Sequence, residues 1–153
     1  SEPLGVLRQG VKRALFAALA RLEDDATVRC LIVTGSGRAF SVGSDVREFQ
    51  RDAAWQAEAA GNDQGFNMAL EHSRLPVIAM CNGLTLGGGN ELAIACDLRF
   101  AARSARFGFP EVKVAAFASA GGTQRLDVLG RPARRQHAPA AASDSCDSPA
   151  GAS

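Results

Sequence analysis

The chain has 153 residues, of which 46% are hydrophobic and 22% charged, and its formal net charge is +1. This length predicts one domain, and the near-neutral charge gives no electrostatic basis for nucleic acid or an anionic membrane as a partner. No apolar run reaches the length of a membrane span and no secretory signal pattern is present, so we expect a cytoplasmic globular protein.

Apolar periodicity, broken by glycine and proline, predicts alternating helices and strands. Residues 4–22 carry apolar side chains at helical spacing with basic residues between them, and residues 28–34 form a short strand of the buried type. The later predicted elements are a helix over 53–74 interrupted near 61–62, a strand over 77–80, a helix after the glycines at 87–89, a strand over 97–101, an extended piece over 106–109 and a helix over 120–129. This order predicts the α/β class.

The C-terminal composition differs from the rest of the chain. Residues 131–153 contain no Leu, Ile, Val, Phe, Met or Trp. Such a segment has little apolar surface to offset the entropy of ordering, so we expect it to be disordered. The predicted organisation is a core over residues 1–130 and a low-complexity tail over residues 131–153.

The cysteines and histidines give no sign of a metal site. The four cysteines lack metal-type spacing and the two histidines lie far apart in the sequence. Cys30, Cys81 and Cys96 fall in apolar segments, so we expect three ordinary buried thiols in a reducing compartment.

The most informative segment is Gly87-Gly88-Gly89 followed by Glu91, where a strand-to-helix connection is predicted. The first amides of a helix have no partner within it and lie at the positive end of its dipole. Such a corner can stabilise an oxyanion, and Glu91 would lie beside it. Taken alone, the same residues are also typical of a tight turn with a glutamate in a favourable first-turn position.

Two further segments carry weaker signals. Gly43-Ser44 could supply a second amide, with Asp45 either in the site or capping the following helix. Glu111 could pair with Glu91 in acid–base chemistry on one water, or be a solvated loop residue. Neither a Gly-x-Ser-x-Gly nucleophile elbow nor a dinucleotide-binding fingerprint is present.

Four blocks taken together resemble the enoyl-CoA hydratase/isomerase (crotonase) family in order and spacing. The blocks are Arg38-Ala39-Phe40-Ser41-Val42-Gly43-Ser44-Asp45, Asn82-Gly83-x-x-Leu86-Gly87-Gly88-Gly89-x-Glu91-Leu92-Ala93, Phe107-Gly108-x-Pro110-Glu111 and Gly121-Gly122-Thr123-Gln124-Arg125-Leu126. The resemblance implies a ClpP/crotonase-like ββα superhelix that is incomplete at both ends.

The resemblance also implies a reaction and its residues. The amides of Ser44 and Gly88 would hold the thioester enolate of a trans-2-enoyl-CoA, Glu91 would activate water at Cβ, and Glu111 would protonate Cα. Coenzyme A would be part of the substrate, with no separate cofactor and no metal. Further substrate contacts, with the two arginines near the CoA phosphates, are implied at Arg38, Val42, Gly43, Asp45, Arg47, Gly87 and Ser119.

Several departures from the family pattern leave alternatives open. Ala118 and Ser119 replace the usual Pro-Gly pair, and the family's N-terminal hairpin and C-terminal helices have no counterpart here. We therefore expect the chain as given to be weakly active or inactive, and not the homotrimer or hexamer typical of the family. The alternatives are an isomerase or other crotonase-type acyl-CoA reaction, and an inactive fragment. A Clp-type peptidase is disfavoured, since neither His72 nor His137 lies in a motif with a serine.

Overall fold

The computed structural model describes residues 4–50 and 53–136. Its elements in chain order are β1 (Val6–Leu7), α1 (Gln9–Glu23), β2 (Leu31–Thr34), β3 (Ala39–Ser41), β4 (Gly43–Ser44), a first 3₁₀ helix (Val46–Gln50), α2 (Ala53–Glu71), β5 (Val77–Cys81), β6 (Leu84–Leu86), α3 (Gly88–Ala95), β7 (Leu98–Ala101), β8 (Arg106–Gly108), a second 3₁₀ helix (Pro110–Val114) and α4 (Gly122–Gln136). Over this part of the chain, no helix is both long and apolar enough to cross a membrane.

Within the described ranges, the architecture is a ββα repeat that occurs three times. The first strands of the repeats, β2, β5 and β7, pair in parallel in one sheet, and the second strands, β3, β6 and β8, pair in parallel in another. The helices α2, α3 and α4 close the successive repeats, and β1 pairs separately with β4. The predicted α/β fold with a ββα superhelix is confirmed.

The core lies between the sheets and the helices. Val77 and Ala79 on β5 and Ala93 on α3 are fully buried, and Leu70 on α2 is 3% exposed. Because α3 packs its buried residues against this cluster, its first turn is held at one place relative to both sheets.

The outer face of the β2–β5–β7 sheet is exposed and apolar, which contradicts the prediction of a buried first strand. The parallel register puts Ile32 beside Ile78 and Leu98, and Met80 beside Phe100. Ile32 is 57% exposed and Phe100 is 60% exposed, because no element in the described ranges covers this face. Cys30 precedes β2 and is exposed, so its predicted burial was wrong, whereas Cys81 and Cys96 are buried as predicted. Cys146 lies outside the described residues.

Several predicted boundaries were also wrong. The first helix begins at Gln9 rather than near residue 4, because Val6–Leu7 pairs with β4. The short strands β3, β4 and β6 were not predicted, because two or three residues are too few to show an apolar period. Helix α2 is continuous through Gly61, since packing of buried Phe66 and Leu70 offsets the roughly 1 kcal/mol cost of an interior glycine.

The C-terminal helix differs from the prediction as well. Helix α4 continues to Gln136, past the predicted start of the disordered tail. Residues 137–153 of that predicted tail lie outside the described part of the chain.

Candidate active site

The candidate site lies at the carboxyl ends of the second strands of the repeats. Gly43-Ser44 comes soon after β3, Gly87-Gly88 directly after β6, and Pro110-Glu111 soon after β8. In parallel sheets these ends meet at one edge, where ligands commonly bind. A cavity of about 710 Å³ opens there, and its walls include most of the predicted site residues: Val42, Ser44, Gly87, Gly88, Glu91, Glu111 and Ser119.

Gly43 allows two backbone segments to approach closely at this cavity. Its φ is +88°, and a Cβ at this position would lie 2.8 Å from the Gly88 nitrogen and 3.0 Å from the Leu86 carbonyl oxygen. Gly88 is the first residue of α3, so its amide has no partner within the helix. A Cβ built on Gly88 would lie 3.7 Å from the Ser44 nitrogen. The backbone nitrogens of Ser44 and Gly88 are therefore neighbours at one corner of the cavity.

Gly87 brings Glu111 to the same corner. The Gly87 amide donates to the Gly108 carbonyl oxygen at 3.0 Å, which ties the end of β6 to the end of β8. With φ at +54°, Gly87 would place a Cβ only 3.2 Å from Glu111 Oε1. Glu111 Oε2 is buried and has no hydrogen-bond partner within the described residues. A buried carboxyl oxygen left unpaired is costly, so pairing with a bound polar group would be favourable.

Glu91 is the other carboxyl group of the cavity and is 4% exposed. Its Oε1 accepts hydrogen bonds from the amides of Ala120 at 2.8 Å and Gly122 at 3.0 Å. Burial raises the pKa of Glu91, the two amide bonds oppose the rise, and the nearby charges of Glu111 and Asp63 add to it. The two amides hold the carboxyl group in one orientation, and the raised pKa favours proton exchange nearer neutrality.

The turn that lacks the usual Pro-Gly pair is held by side chains of α2. Asn67 donates from Nδ2 to the Ala120 carbonyl oxygen at 3.0 Å, and Gln64 donates from Nε2 to the Ser119 carbonyl oxygen at 3.3 Å. This anchoring positions the Ala120 and Gly122 amides that contact Glu91, although the turn contains Ala118 and Ser119.

Lys12 and Asp63 are cavity residues that the sequence reasoning missed. Lys12 is 6% exposed, and its Nζ lies 2.6 Å from Asp63 Oδ1 and donates to Ser44 Oγ at 3.0 Å. A signal existed, because Lys12 precedes Leu15 and Leu19 by three and seven positions and so lies on the apolar face of α1. A buried cation at such a position needs a partner, which here comes from α2.

Four predicted substrate-contact residues are absent from the lining of the cavity, namely Arg38, Gly43, Asp45 and Arg47. Arg38 is exposed, and Gly43 lies behind the corner. Asp45 instead accepts hydrogen bonds from Arg47 Nη2 at 2.6 Å and Arg8 Nε at 3.0 Å. These bonds, from Arg47 first and Arg8 second, hold the pKa of Asp45 well below its usual range. Asp45 also accepts a hydrogen bond from the Arg47 backbone amide at the start of the first 3₁₀ helix. This is the capping role that the sequence analysis gave as the alternative to a place in the site.

A second cavity of about 400 Å³ lies beside α4 and is lined by apolar residues, two glutamines, Gly121 and the Arg125–Glu71 ion pair. Its lining contains one carboxyl group rather than a pair. The larger cavity is therefore the candidate active site.

Comparisons with known proteins show the family of the chain. The model of the enoyl-CoA hydratase/isomerase family matches residues 2–135. Mevalonyl-coenzyme A hydratase SIDH of Beauveria bassiana is 40% identical, with 79% of this chain and 48% of the relative covered. Crotonyl-CoA hydratase of Syntrophomonas wolfei is 44% identical, with 75% of this chain and 45% of the relative covered.

Solved structures give the same result. DspI of Pseudomonas aeruginosa superposes with a TM-score of 0.81 at 36% identity, covering 84% of this chain and 50% of the neighbour. Enoyl-CoA hydratase of Bacillus anthracis gives a TM-score of 0.77 at 36% identity, covering 81% of this chain and 49% of the neighbour. The chain spans about half the length of the relatives it matches. The chain belongs to the enoyl-CoA hydratase/isomerase family.

Proposed function

We propose that the site adds water to the double bond of a trans-2-enoyl-CoA in a syn sense. The observation that carries this proposal is the cavity shared by Glu91, Glu111, Ser44 and Gly88. Two relatives named as hydratases of coenzyme A thioesters support the same class of reaction.

The backbone amides of Ser44 and Gly88 would receive the thioester carbonyl oxygen. As water adds to Cβ, negative charge moves onto that oxygen as an enolate, and preorganised donors stabilise this charge. Glu91 takes one proton from the attacking water, and Glu111 gives one proton to Cα. The sum is one water added, with a proton moved from Glu111 to Glu91 that exchange with solvent returns.

The two carboxyl groups are suited to these roles. Glu91 Oε1 is occupied by two amides, which leaves Oε2 to contact the water. Glu111 Oε2 is buried without a partner in the described part of the chain and can contact the same water or Cα. Coenzyme A belongs to the substrate, so the reaction uses no separate cofactor or metal. Arg38 and Arg47 are both exposed and do not line the cavity, and the proposal assigns them to the CoA phosphates outside it.

The test is the loss of the conjugated enoyl-thioester absorbance with a short trans-2-enoyl-CoA, with the product analysed by mass for one added water. In a version extended to the length of the relatives, we expect Glu111→Gln to lower turnover by roughly two to four orders of magnitude, the usual range for one acid–base group. Glu58→Gln is the matched control, because Glu58 is exposed on α2 and outside the cavity lining.

Three outcomes would contradict the proposal. A product of unchanged mass with a shifted double bond would assign the isomerase reaction instead. Equal turnover in Glu111→Gln and Glu58→Gln would remove Glu111 from the mechanism. If neither the chain nor a version extended to the length of its relatives consumes the substrate, hydration is not its function.

A further inference from the structure

We infer that the Ser44 side-chain hydroxyl is a third donor to the thioester oxygen, and that the buried Lys12–Asp63 pair positions and polarises it. Ser44 is then a catalytic residue through its side chain as well as its backbone, and Lys12 is a positioning residue.

Lys12 is the donor in the hydrogen bond that joins it to Ser44. An ammonium group can only donate, so at 3.0 Å the Ser44 oxygen is the acceptor. The Ser44 hydroxyl proton is consequently left for another acceptor. No acceptor for this proton is found among the described residues. Ser44 lines the cavity, so a bound ligand could supply the acceptor.

The Ser44 hydroxyl lies close to the Gly88 backbone at the corner of the cavity. A Cβ built on Gly88 would lie 3.5 Å from Ser44 Oγ and 3.7 Å from the Ser44 nitrogen. The hydroxyl therefore borders the same small space as the backbone nitrogens of Ser44 and Gly88. The inference places an acceptor that enters this corner within reach of the hydroxyl and of both amides.

The Lys12 side chain is held in place by Asp63. Asp63 contacts Lys12 Nζ with both carboxyl oxygens, at 2.6 and 2.7 Å, and Gln9 Nε2 donates to Asp63 Oδ1 at 3.2 Å. Because these contacts keep Lys12 in place, its bond to Ser44 leaves the serine rotamer little freedom. A charge-assisted bond received by a hydroxyl also makes that hydroxyl a stronger donor.

The electrostatic balance of the cavity explains why a cation is useful here. An enolate adds negative charge in a cavity whose lining carries more carboxylates than ammonium groups even while Glu111 holds its proton: Glu48, Asp63 and Glu91 against Lys12 and Lys113. The hydrogen bond that Ser44 receives from the buried Lys12 ammonium offsets part of this repulsion, which is weakly screened away from water.

A serine–lysine nucleophile is the competing interpretation of the same contact. A nucleophilic serine needs a base to take its proton. Lys12 is donating to the Asp63 carboxylate and to Ser44 Oγ at once, so it does not supply that base. A hydrogen-bonding role for Ser44 fits the geometry better than a covalent one.

The test uses Ser44→Ala, which removes the hydroxyl and keeps the backbone amide. We expect kcat to fall by roughly 10²-fold, as for loss of one oxyanion donor, while KM changes little. The thioester carbonyl stretch of a bound, unreactive saturated acyl-CoA should also move towards its value in water. Lys12→Met combined with Asp63→Asn should reproduce part of both effects in a wild-type background and add little to Ser44→Ala.

Arg13→Met is the control for loss of charge, because Arg13 is the exposed neighbour of Lys12 on α1. It should leave kcat and the carbonyl stretch unchanged. Ser44→Ala with both values at wild type would overturn the inference, as would a Lys12–Asp63 double variant that behaves like Arg13→Met.

The role assigned to Ser44 rests on the proposed function, and the spectroscopic measurement separates the two. A Ser44-dependent carbonyl shift without any water addition would support the third donor and reject hydration. Hydration that is insensitive to Ser44→Ala would do the reverse. Failure of the wild-type protein to bind the saturated acyl-CoA would overturn both.

Discussion

Replacing Gly43 by alanine tests whether the approach of two backbone segments is what builds the site. Gly43 has φ +88°, a left-handed conformation that costs other residues about 1–2 kcal/mol. The new Cβ would lie 2.8 Å from the Gly88 nitrogen, so backbone must also move. We expect the free energy of unfolding to fall by about 2 kcal/mol or more. Displacing one of the two amides proposed to hold the oxyanion should lower turnover as well, since about 1 Å of misplacement can cost roughly 10²-fold.

Gly65→Ala is the matched control, because a Cβ there meets nothing within 4 Å in the interior of α2. This variant should be more stable than wild type by roughly 0.5–1 kcal/mol, with unchanged turnover. Urea unfolding followed by circular dichroism gives the stability, and the enoyl-thioester absorbance gives the turnover. If Gly43→Ala matches Gly65→Ala in both measurements, the close approach at Gly43 does not govern the site.

Two further predictions concern pH. Burial raises the pKa of Glu91, so the stability linked to its protonated form is complete below its ordinary pKa and is lost as pH rises through the folded value. Glu91→Gln keeps an acceptor for the Ala120 and Gly122 amides, so this variant should be inactive yet more stable than wild type at neutral pH. The difference in the free energy of unfolding should vanish near pH 3, roughly a unit below the ordinary pKa of a glutamate. A difference that stays constant across pH would contradict the burial argument. The pKa of Asp45 is lowered by Arg47 and Arg8, so its stabilisation is present above its ordinary pKa and is lost as pH falls through the folded value. Asp45→Asn should therefore be less stable than wild type at neutral pH and approach it on acidification, and denaturant curves at several pH values that run parallel would refute the ion-pair role.

The exposed outer face of the β2–β5–β7 sheet also bears on experiments with this chain. Ile32, Leu98 and Phe100 are each more than half exposed, and Met80 is 45% exposed. Contiguous apolar patches of this kind mark interaction surfaces or promote aggregation. Concentration-dependent sizing should therefore accompany every stability and activity measurement.

The residues at the corner could be predicted because their signals are local. Gly87 must take φ +54° to join β6 to α3, and Glu91 lies three residues after Gly88 whatever the rest of the fold does. The helix–strand alternation was likewise readable, because periodicity over ten or more residues reflects one buried face. The short strands β3, β4 and β6 escaped prediction because two or three residues carry no period.

What the amino-acid sequence by itself determined, then, is the class of fold, the glycine corner and the presence of two carboxyl groups near it. Only the tertiary structure decided how those groups are held. The amides that orient Glu91 are 29 and 31 positions away in sequence, and the Lys12–Asp63 contact spans 51 positions. Asp45 is bound by Arg8 from 37 positions away as well as by its near neighbour Arg47, and it does not line the cavity. The spacing of apolar residues along the sequence indicates which face of a helix or strand is buried. The partner of a buried charge depends on which helices and strands pack together, and that is a property of the assembled chain.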